Sequence, residues 1–408
     1  MANDIGGSTA EQQLAGIRAD LSGVRRITLD ERRARIAKAA RLMREQGIAA
    51  LILPAGTNLY YFTGLHWHAS ERLTAAILTP DETVVYVCPA FEESKVGQSL
   101  QVGGDIRVWH EEENPAELVK SWLTELGALN AGSRSAARIA LDEGAPFFVF
   151  DSLRLAMPLQ QIVNGAVVTA ECRMHKSTAE IALMQKAKDI TLDVQRRAAS
   201  ILYEGISSAE VEQFIDGAHR AHGGGRSTFC IVSFGKATAL PHGADGPQRL
   251  REGDMVLIDT GCRIEGYNSD ITRSYVFGQA TQRQRDVWEL EKVAQAAAFE
   301  AAQLGVACEQ VDAAARLVLE KAGFGPGYRL PGLPHRTGHG IGLDIHEWTY
   351  LVKGNARPLA PGMCFSNEPM ICVEGEFGIR LEDHFYMSDS GPRWFTGQSP
   401  ALDAPFGG

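Results

Sequence analysis

The chain has 408 residues, room for two or three domains, and its 45% hydrophobic and 22% charged content is that of a protein that buries a full core. A formal net charge of −10 argues against nucleic acid as a partner, because an acidic surface repels a phosphate backbone. Seven scattered cysteines with no CxxC pair exclude a disulfide framework and a thiolate zinc site, and no apolar run approaches the roughly 20 residues that span a bilayer.

Residues 1–27 mix glycine, serine and charge without periodicity, and are expected to form a loosely held arm. Their polar opening lacks the apolar core of a secretory signal, so a cytoplasmic protein without a membrane anchor is expected. From Leu29 the pattern turns helical: Ile36, Ala39, Ala40 and Met43 recur at three- and four-residue spacing, and Gly47 suits a C-cap. AALIL, TAAILTP and TVVYVCP read as strands, Pro115 opens a helix over 115–127, and ARIALDE is a further strand. This alternation predicts an α/β domain over about 28–170. Ser177 and Glu180 have capping-box spacing ahead of a helix to about Tyr203, and a second helix covers roughly 208–222. FCIVSFG, DMVLIDTG, DITRSYVFG and MCFSNEPMICV then read as strands, interrupted by helices near 281–304 and 309–322. The looser interleaving predicts an α+β unit over 171–408.

Four segments of this second unit carry chemistry. Asp259 ends the strand DMVLIDTG and Asp270 starts the strand DITRSYVFG; if the strands pair, the two carboxylates become close neighbours, which is unfavourable unless a cation lies between them. His339 sits between glycines in Thr337-Gly-His-Gly-Ile-Gly342, with His335 and His346 nearby. Glu368 interrupts an apolar strand pattern, and a lone carboxylate there is costly to bury unless paired or metal-bound. Arg380 and Glu382 are two apart on a strand and share a face. Alone, each segment has a plainer reading as turn residue, loop histidine, edge strand or surface ion pair. Together they offer four carboxylates and one imidazole, a donor set suited to Mn²⁺, Co²⁺ or Fe²⁺, and four negative charges balance two divalent ions better than one.

At these residues the chain resembles the pita-bread metallopeptidases, which include methionine aminopeptidase, aminopeptidase P and Xaa-Pro dipeptidase (prolidase). The matching segments are Leu257-Ile-Asp-Thr-Gly261, Ser269-Asp-Ile-Thr-Arg273, Gly338-His-Gly-Ile-Gly342 with His346-Glu347, Asn367-Glu-Pro369 and Gly378-Ile-Arg-Leu-Glu-Asp383. The resemblance covers about 175–400, and the first half looks like the creatinase-type domain of the proline-specific members. It implies an α/β creatinase-like domain followed by an α+β pita-bread catalytic domain. It further implies two divalent metal ions, Mn²⁺ foremost with Co²⁺, Zn²⁺ or Fe²⁺ as alternatives. Asp259 would chelate one ion, Asp270 and Glu382 would bridge, and His339 and Glu368 would bind the other, with Glu368 handling the proton of the attacking water. By the same resemblance His242 and His346 serve catalysis, His335 flanks the leaving proline, and Arg380 lies near the substrate carboxylate and the metal-site network. The loop Thr63-Gly-Leu-His-Trp-His-Ala69 places Trp67 as a substrate contact, and a homodimer is implied. The family tyrosine before His242 is missing, its stretch reading Ser227-Thr-Phe-Cys-Ile231. The expected activity is hydrolysis of Xaa-Pro dipeptides by a water between the two metals. The alternatives are an aminopeptidase P acting on longer peptides, a hydrolase or lyase of a small non-peptide metabolite, and a metal-free binding module.

Overall fold

A computed structural model describes residues 5–129 and 136–407; the first four residues of the arm and residues 130–135 of the expected α/β domain lie outside the described residues. The chain divides into two compact units, one of Ile27–Arg173 and one that joins Met1–Arg26 to Met174–Gly408.

The Ile27–Arg173 unit opens with a helix over Leu29–Gln46, started by a capping box between Thr28 and Glu31 and stopped at Gly47, whose φ of 63° an L side chain would strain. Its inner face buries Ile36, Ala39, Ala40 and Met43. Behind it lies a six-stranded mixed sheet of β1 (Ile48–Pro54), β2 (Ala75–Leu78), β3 (Val84–Pro89), β4 (Asp105–Trp109), β5 (Arg138–Leu141) and β6 (Gln161–Asn164), in the order β4-β3-β2-β1-β5-β6. β1 pairs antiparallel with β2 and parallel with β5. Flanked on both sides, β1 is buried along almost its whole length, which is why it reads as a continuous apolar run. Helices Pro115–Glu125 and Phe147–Ala156 close one face with Val119, Trp122 and Leu153 against Ile52, Ile77 and Val85. Apolar patterning marks neither β4 and β6 nor the helices Thr57–Thr63, Glu93–Ser99, Phe147–Ala156 and Ala166–Arg173; the two strands are short, half-exposed sheet edges without an apolar alternation.

In the other unit the expected loose arm is instead pinned to the rest of the unit. Thr9 and Gln12 form a capping box for a short helix, Ala10–Ala15. Gly6 N–H donates to Ala199 O at 2.8 Å and Ser8 N–H to Ser200 O at 3.0 Å. Both acceptors lie at the end of the helix Thr178–Ser200, which starts at the Ser177–Glu180 capping box. The helix Ser208–Ala221 follows. β7 (Phe229–Phe234) and β8 (Met255–Gly261) pair antiparallel; a small hairpin of β9 (Arg263–Ile264) and β10 (Tyr267–Asn268) leads to β11 (Ile271–Val276), which pairs with β8 on its other side. Helices Gln282–Ala301 and Cys308–Lys321 separate this sheet from β12 (Gly338–Gly340), β13 (Glu347–Leu351), β14 (Cys364–Asn367), β15 (Met370–Val373), β16 (Phe377–Arg380), β17 (Asp383–Ser388) and β18 (Gly391–Trp394). Five of these form a sheet in the order β13-β12-β14-β17-β18, and β15 pairs with β16. The segment read as one strand, MCFSNEPMICV, splits in two at Glu368-Pro369, where proline has no N–H for a ladder bond. Gln295, inside the helix Gln282–Ala301, donates from its side-chain amide to the carbonyls of Asn367 (3.2 Å) and Leu381 (2.9 Å), so one buried side chain holds two strand ends together. Among the described residues no helix is long and apolar enough to cross a membrane.

Candidate metal centre

The strand ends described above bring the expected ligands to one place. Asp259 lies in β8 and Asp270 immediately before β11. Asp259 is registered opposite Thr272, so Asp270 is its diagonal rather than its direct cross-strand neighbour, still on the same face. His339 projects from β12. The glycines on either side are required by close approach rather than by special dihedrals, since a Cβ on Gly338 or Gly340 would collide with the carbonyls of Ser366 or Glu347. Glu368 occupies the gap between β14 and β15, its N–H donating to Thr337 O at 2.9 Å. Glu382 follows β16 and is tied to β11 by its N–H to Thr272 O at 3.1 Å.

Asp270, His339 and Glu382 are all buried and offer ligand atoms within 4.8 Å of one another. Glu368 Oε1 lies 3.1 Å and Asp270 Oδ2 3.7 Å from His339 Nε2. His339 Nδ1 lies 3.1 Å from the Gly340 carbonyl, which can only accept, so Nδ1 carries a proton and Nε2 is the ring nitrogen turned to the carboxylates. Burial and the neighbouring Glu382, Asp259 and Glu368 carboxylates push Asp270 well above the usual carboxylate range, and burial with Glu368 and Asp259 does the same to Glu382. Burial also works to raise Glu368, but His339, His335 and Arg380 outweigh it and hold that carboxyl well below its ordinary value. Asp259 Oδ1, Asp270 Oδ1 and Glu382 Oε1 are buried without a hydrogen-bond partner. Carboxylates crowded around an imidazole nitrogen, three of them with an orphaned oxygen, form an oxygen-rich donor set that fits divalent cations.

Around these groups opens a cavity of roughly 710 Å³, the size of a small-ligand site. His242, His335, His346 and Arg380 line it with the five acidic and imidazole groups, and Phe229, Ile231, Pro334 and Ile345 give it apolar walls. His335 Nδ1 faces the Arg336 carbonyl at 2.8 Å, leaving Nε2 buried and unpartnered; burial lowers its pKa. The exposed His346 packs its ring 4.1 Å from that of His339, and its pKa is lowered by desolvation and then by His339. Beside it, Glu347 forms a buried ion pair with Lys176 at 2.5 Å. Arg380, expected to meet both a substrate carboxylate and the metal-site network, directs its donors at the second: to Asp259 Oδ2 (2.5 Å), Thr272 Oγ1 (3.1 Å) and Pro241 O (3.1 Å). Trp67 belongs to the Ile27–Arg173 unit, where the Lys95 ammonium lies 4.7 Å over its ring.

Several supporting residues were not read from the sequence. Thr272 donates to Glu382 Oε2 at 2.7 Å. Ser366 accepts the His339 N–H at 2.8 Å and donates to Glu368 Oε1 at 3.0 Å. Asp312 receives the Thr337 N–H and hydroxyl and pairs with Arg316, which also donates to His335 O. Thr272 and Ser366 each stand two positions along the chain from an expected ligand, the same-face spacing of a strand, and that signal could have found them.

Residues 182–389 match Metallopeptidase family M24, and residues 35–175 match the Creatinase/Prolidase N-terminal domain. A probable dipeptidase, PepE, of Mycobacterium tuberculosis is 35% identical over 372 residues, which cover 90% of this chain and 95% of the relative. The crystal structure of dipeptidase PepE from Mycobacterium ulcerans superposes with a TM-score of 0.85 at 32% identity, covering 93% of this chain and 99% of that one. A prolidase from Thermococcus sibiricus superposes with a TM-score of 0.79 at 30% identity, covering 89% and 96%. Sequence motifs, fold and relatives agree: the chain belongs to metallopeptidase family M24, an enzyme with a creatinase-type N-terminal domain ahead of a pita-bread catalytic domain, in a family that uses divalent metals.

Proposed function

We propose that this enzyme hydrolyses the Xaa-Pro bond of dipeptides, with two divalent cations held by Asp259, Asp270, His339, Glu368 and Glu382. The observation that carries this reading is the convergence of acidic groups with orphaned oxygens on the His339 imidazole. Asp259 would serve one cation, Asp270 and Glu382 both, and His339 and Glu368 the other, with Mn²⁺ preferred over Co²⁺, Zn²⁺ or Fe²⁺. What a bound pair supplies is Lewis acidity and a water of lowered pKa.

The chain's own residues do the rest. Glu368, kept ionised by His339, His335 and Arg380, accepts the proton of the attacking water. His346, with its lowered pKa, is neutral at pH 7 and offers an N–H to the oxyanion that develops on the scissile carbonyl. His242 stands on the same cavity wall as a second polar contact. A bond to proline lacks an N–H, so recognition falls to shape and to the leaving ring nitrogen. Pro334, Ile345 and Phe229 provide an apolar bed for that ring, and His335 Nε2 an acceptor beside it. The dipeptidase and prolidase relatives support this substrate class. A homodimer, a substrate contact from Trp67 and a cytoplasmic location complete the reading on family resemblance.

The test is hydrolysis of Ala-Pro and Ala-Pro-Ala-Ala by chelator-treated enzyme supplied in turn with Mn²⁺, Co²⁺ and Zn²⁺. Mn²⁺ should restore activity best, and Ala-Pro should be the faster substrate. Faster cleavage of the tetrapeptide would make the enzyme an aminopeptidase P, and no turnover with any metal would remove peptide hydrolysis.

A further inference from the structure

His384, in β17, is fully buried, and neither of its ring nitrogens has a hydrogen-bond partner among the described residues. A core histidine ordinarily satisfies both nitrogens, because an unmade bond is expensive away from water. Its Nε2 lies 3.7 Å from Glu382 Oε1, itself a buried acceptor without a partner. The other oxygen of Glu382 already accepts the Thr272 hydroxyl at 2.7 Å. Two orphans of complementary type therefore face each other across a gap slightly longer than a hydrogen bond.

The sheet explains the placement. β17 pairs with β14 so that His384 stands opposite Ser366, and cross-strand partners share a face. Ser366 on that face already supports two expected ligands, His339 and Glu368. Arg380 supports Asp259, and the Gly340 carbonyl supports His339. Glu382, like Asp259, has one oxygen held and the other free, and its free oxygen is the one that faces His384 Nε2. Lys188, buried close by, donates to Asn268 O and has no acceptor to offer an imidazole N–H.

We infer that His384 is a positioning residue of the metal centre, whose ring N–H closes onto Glu382 Oε1 and fixes how that carboxylate meets the cations. The inference rests on the reading of Glu382 and its neighbours as metal ligands. His384 does not line the cavity, so it acts through Glu382 and not on substrate. Removing such outer support costs about 10–100-fold in metal affinity.

The test is calorimetric titration of Mn²⁺ into chelator-treated wild type, His384→Leu, His384→Gln and Asp270→Asn, with the unfolding temperature of each metal-free protein. The leucine variant should bind Mn²⁺ about 10–100-fold more weakly without a lower metal-free unfolding temperature. The glutamine variant keeps a donor and should recover most of the affinity. Should the leucine variant fail to fold, His384→Asn, whose shorter amide falls short of Glu382, takes its place. X-ray absorption of the Co²⁺-loaded leucine variant should show as many imidazole ligands as wild type. Wild-type affinity in the leucine variant, or a glutamine variant as weak as leucine, would overturn the inference alone, as would the loss of an imidazole, which would make His384 a ligand. Wild type that binds no Mn²⁺ would overturn the metal reading and this inference with it.

Discussion

The two units solve opposite problems of burial. Inside Ile27–Arg173 the sheet interior is apolar, with Ala50, Ile52, Ile77, Val85, Val87 and Trp122 packed against one another. The catalytic unit has an apolar core too, but it also buries Asp259, Asp270, Glu382, His339, His384, Lys188 and Arg380 within one neighbourhood. Apolar burial stabilises a fold outright, whereas a crowd of buried carboxylates opposes it until positive charge arrives. One unit is therefore built for stability in its own right, and the other holds a destabilising cluster in place for function.

The largest effect expected from this contrast follows from Asp270→Asn. Activity should fall by about three orders of magnitude or more, since a shared ligand charge is lost. Asp270 is held well above its unfolded pKa, so its carboxyl contributes stability only at low pH and loses it as pH rises. The metal-free variant should therefore melt higher than metal-free wild type at pH 7 by calorimetry. Full activity, or a lower melting temperature, would break the contrast. Next comes Ile52→Ala in β1, which should cost about 2–5 kcal/mol of stability in its own unit and leave Mn²⁺ affinity unchanged. A parallel drop in affinity would show that the two units do not behave separately.

Arg380→Lys keeps the charge but loses the fork that reaches Asp259, Thr272 and Pro241 O. About tenfold weaker Mn²⁺ binding is expected, with an unchanged KM for Ala-Pro at saturating metal. A raised KM at full loading would return Arg380 to the substrate carboxylate. The smallest effect sits in the N-terminal unit, where burial and then Glu143 push Asp142 up to about 6. The folded pKa is above the unfolded one, so this carboxyl contributes stability below about pH 4 that is lost as pH rises through 6. Asp142→Asn should thus stabilise the protein at pH 7 by on the order of 1–2 kcal/mol, the gain vanishing near pH 4. Equal denaturant midpoints at both pH values would show that Asp142 is not strained.

What the sequence disclosed follows the same contrast. Strands buried on both sides, such as β1, and capped helices, such as the one that starts at Ser177, announce themselves through apolar runs and capping residues. Edge strands β4 and β6 do not, because their faces are mixed. The acidic residues and His339 stand out by type and spacing, but which of them meet is set by register, as the diagonal placement of Asp270 against Asp259 shows. The partners that hold them are ordinary residue types. Thr272 and Ser366 look like strand filler, and His384 like a core histidine, until the strands are paired.

The most direct test is anomalous diffraction from crystals of the wild-type enzyme grown with Mn²⁺. Two Mn²⁺ peaks should appear among the side chains of Asp259, Asp270, His339, Glu368 and Glu382. Crystals with those side chains ordered and no Mn²⁺ between them would contradict the metal reading.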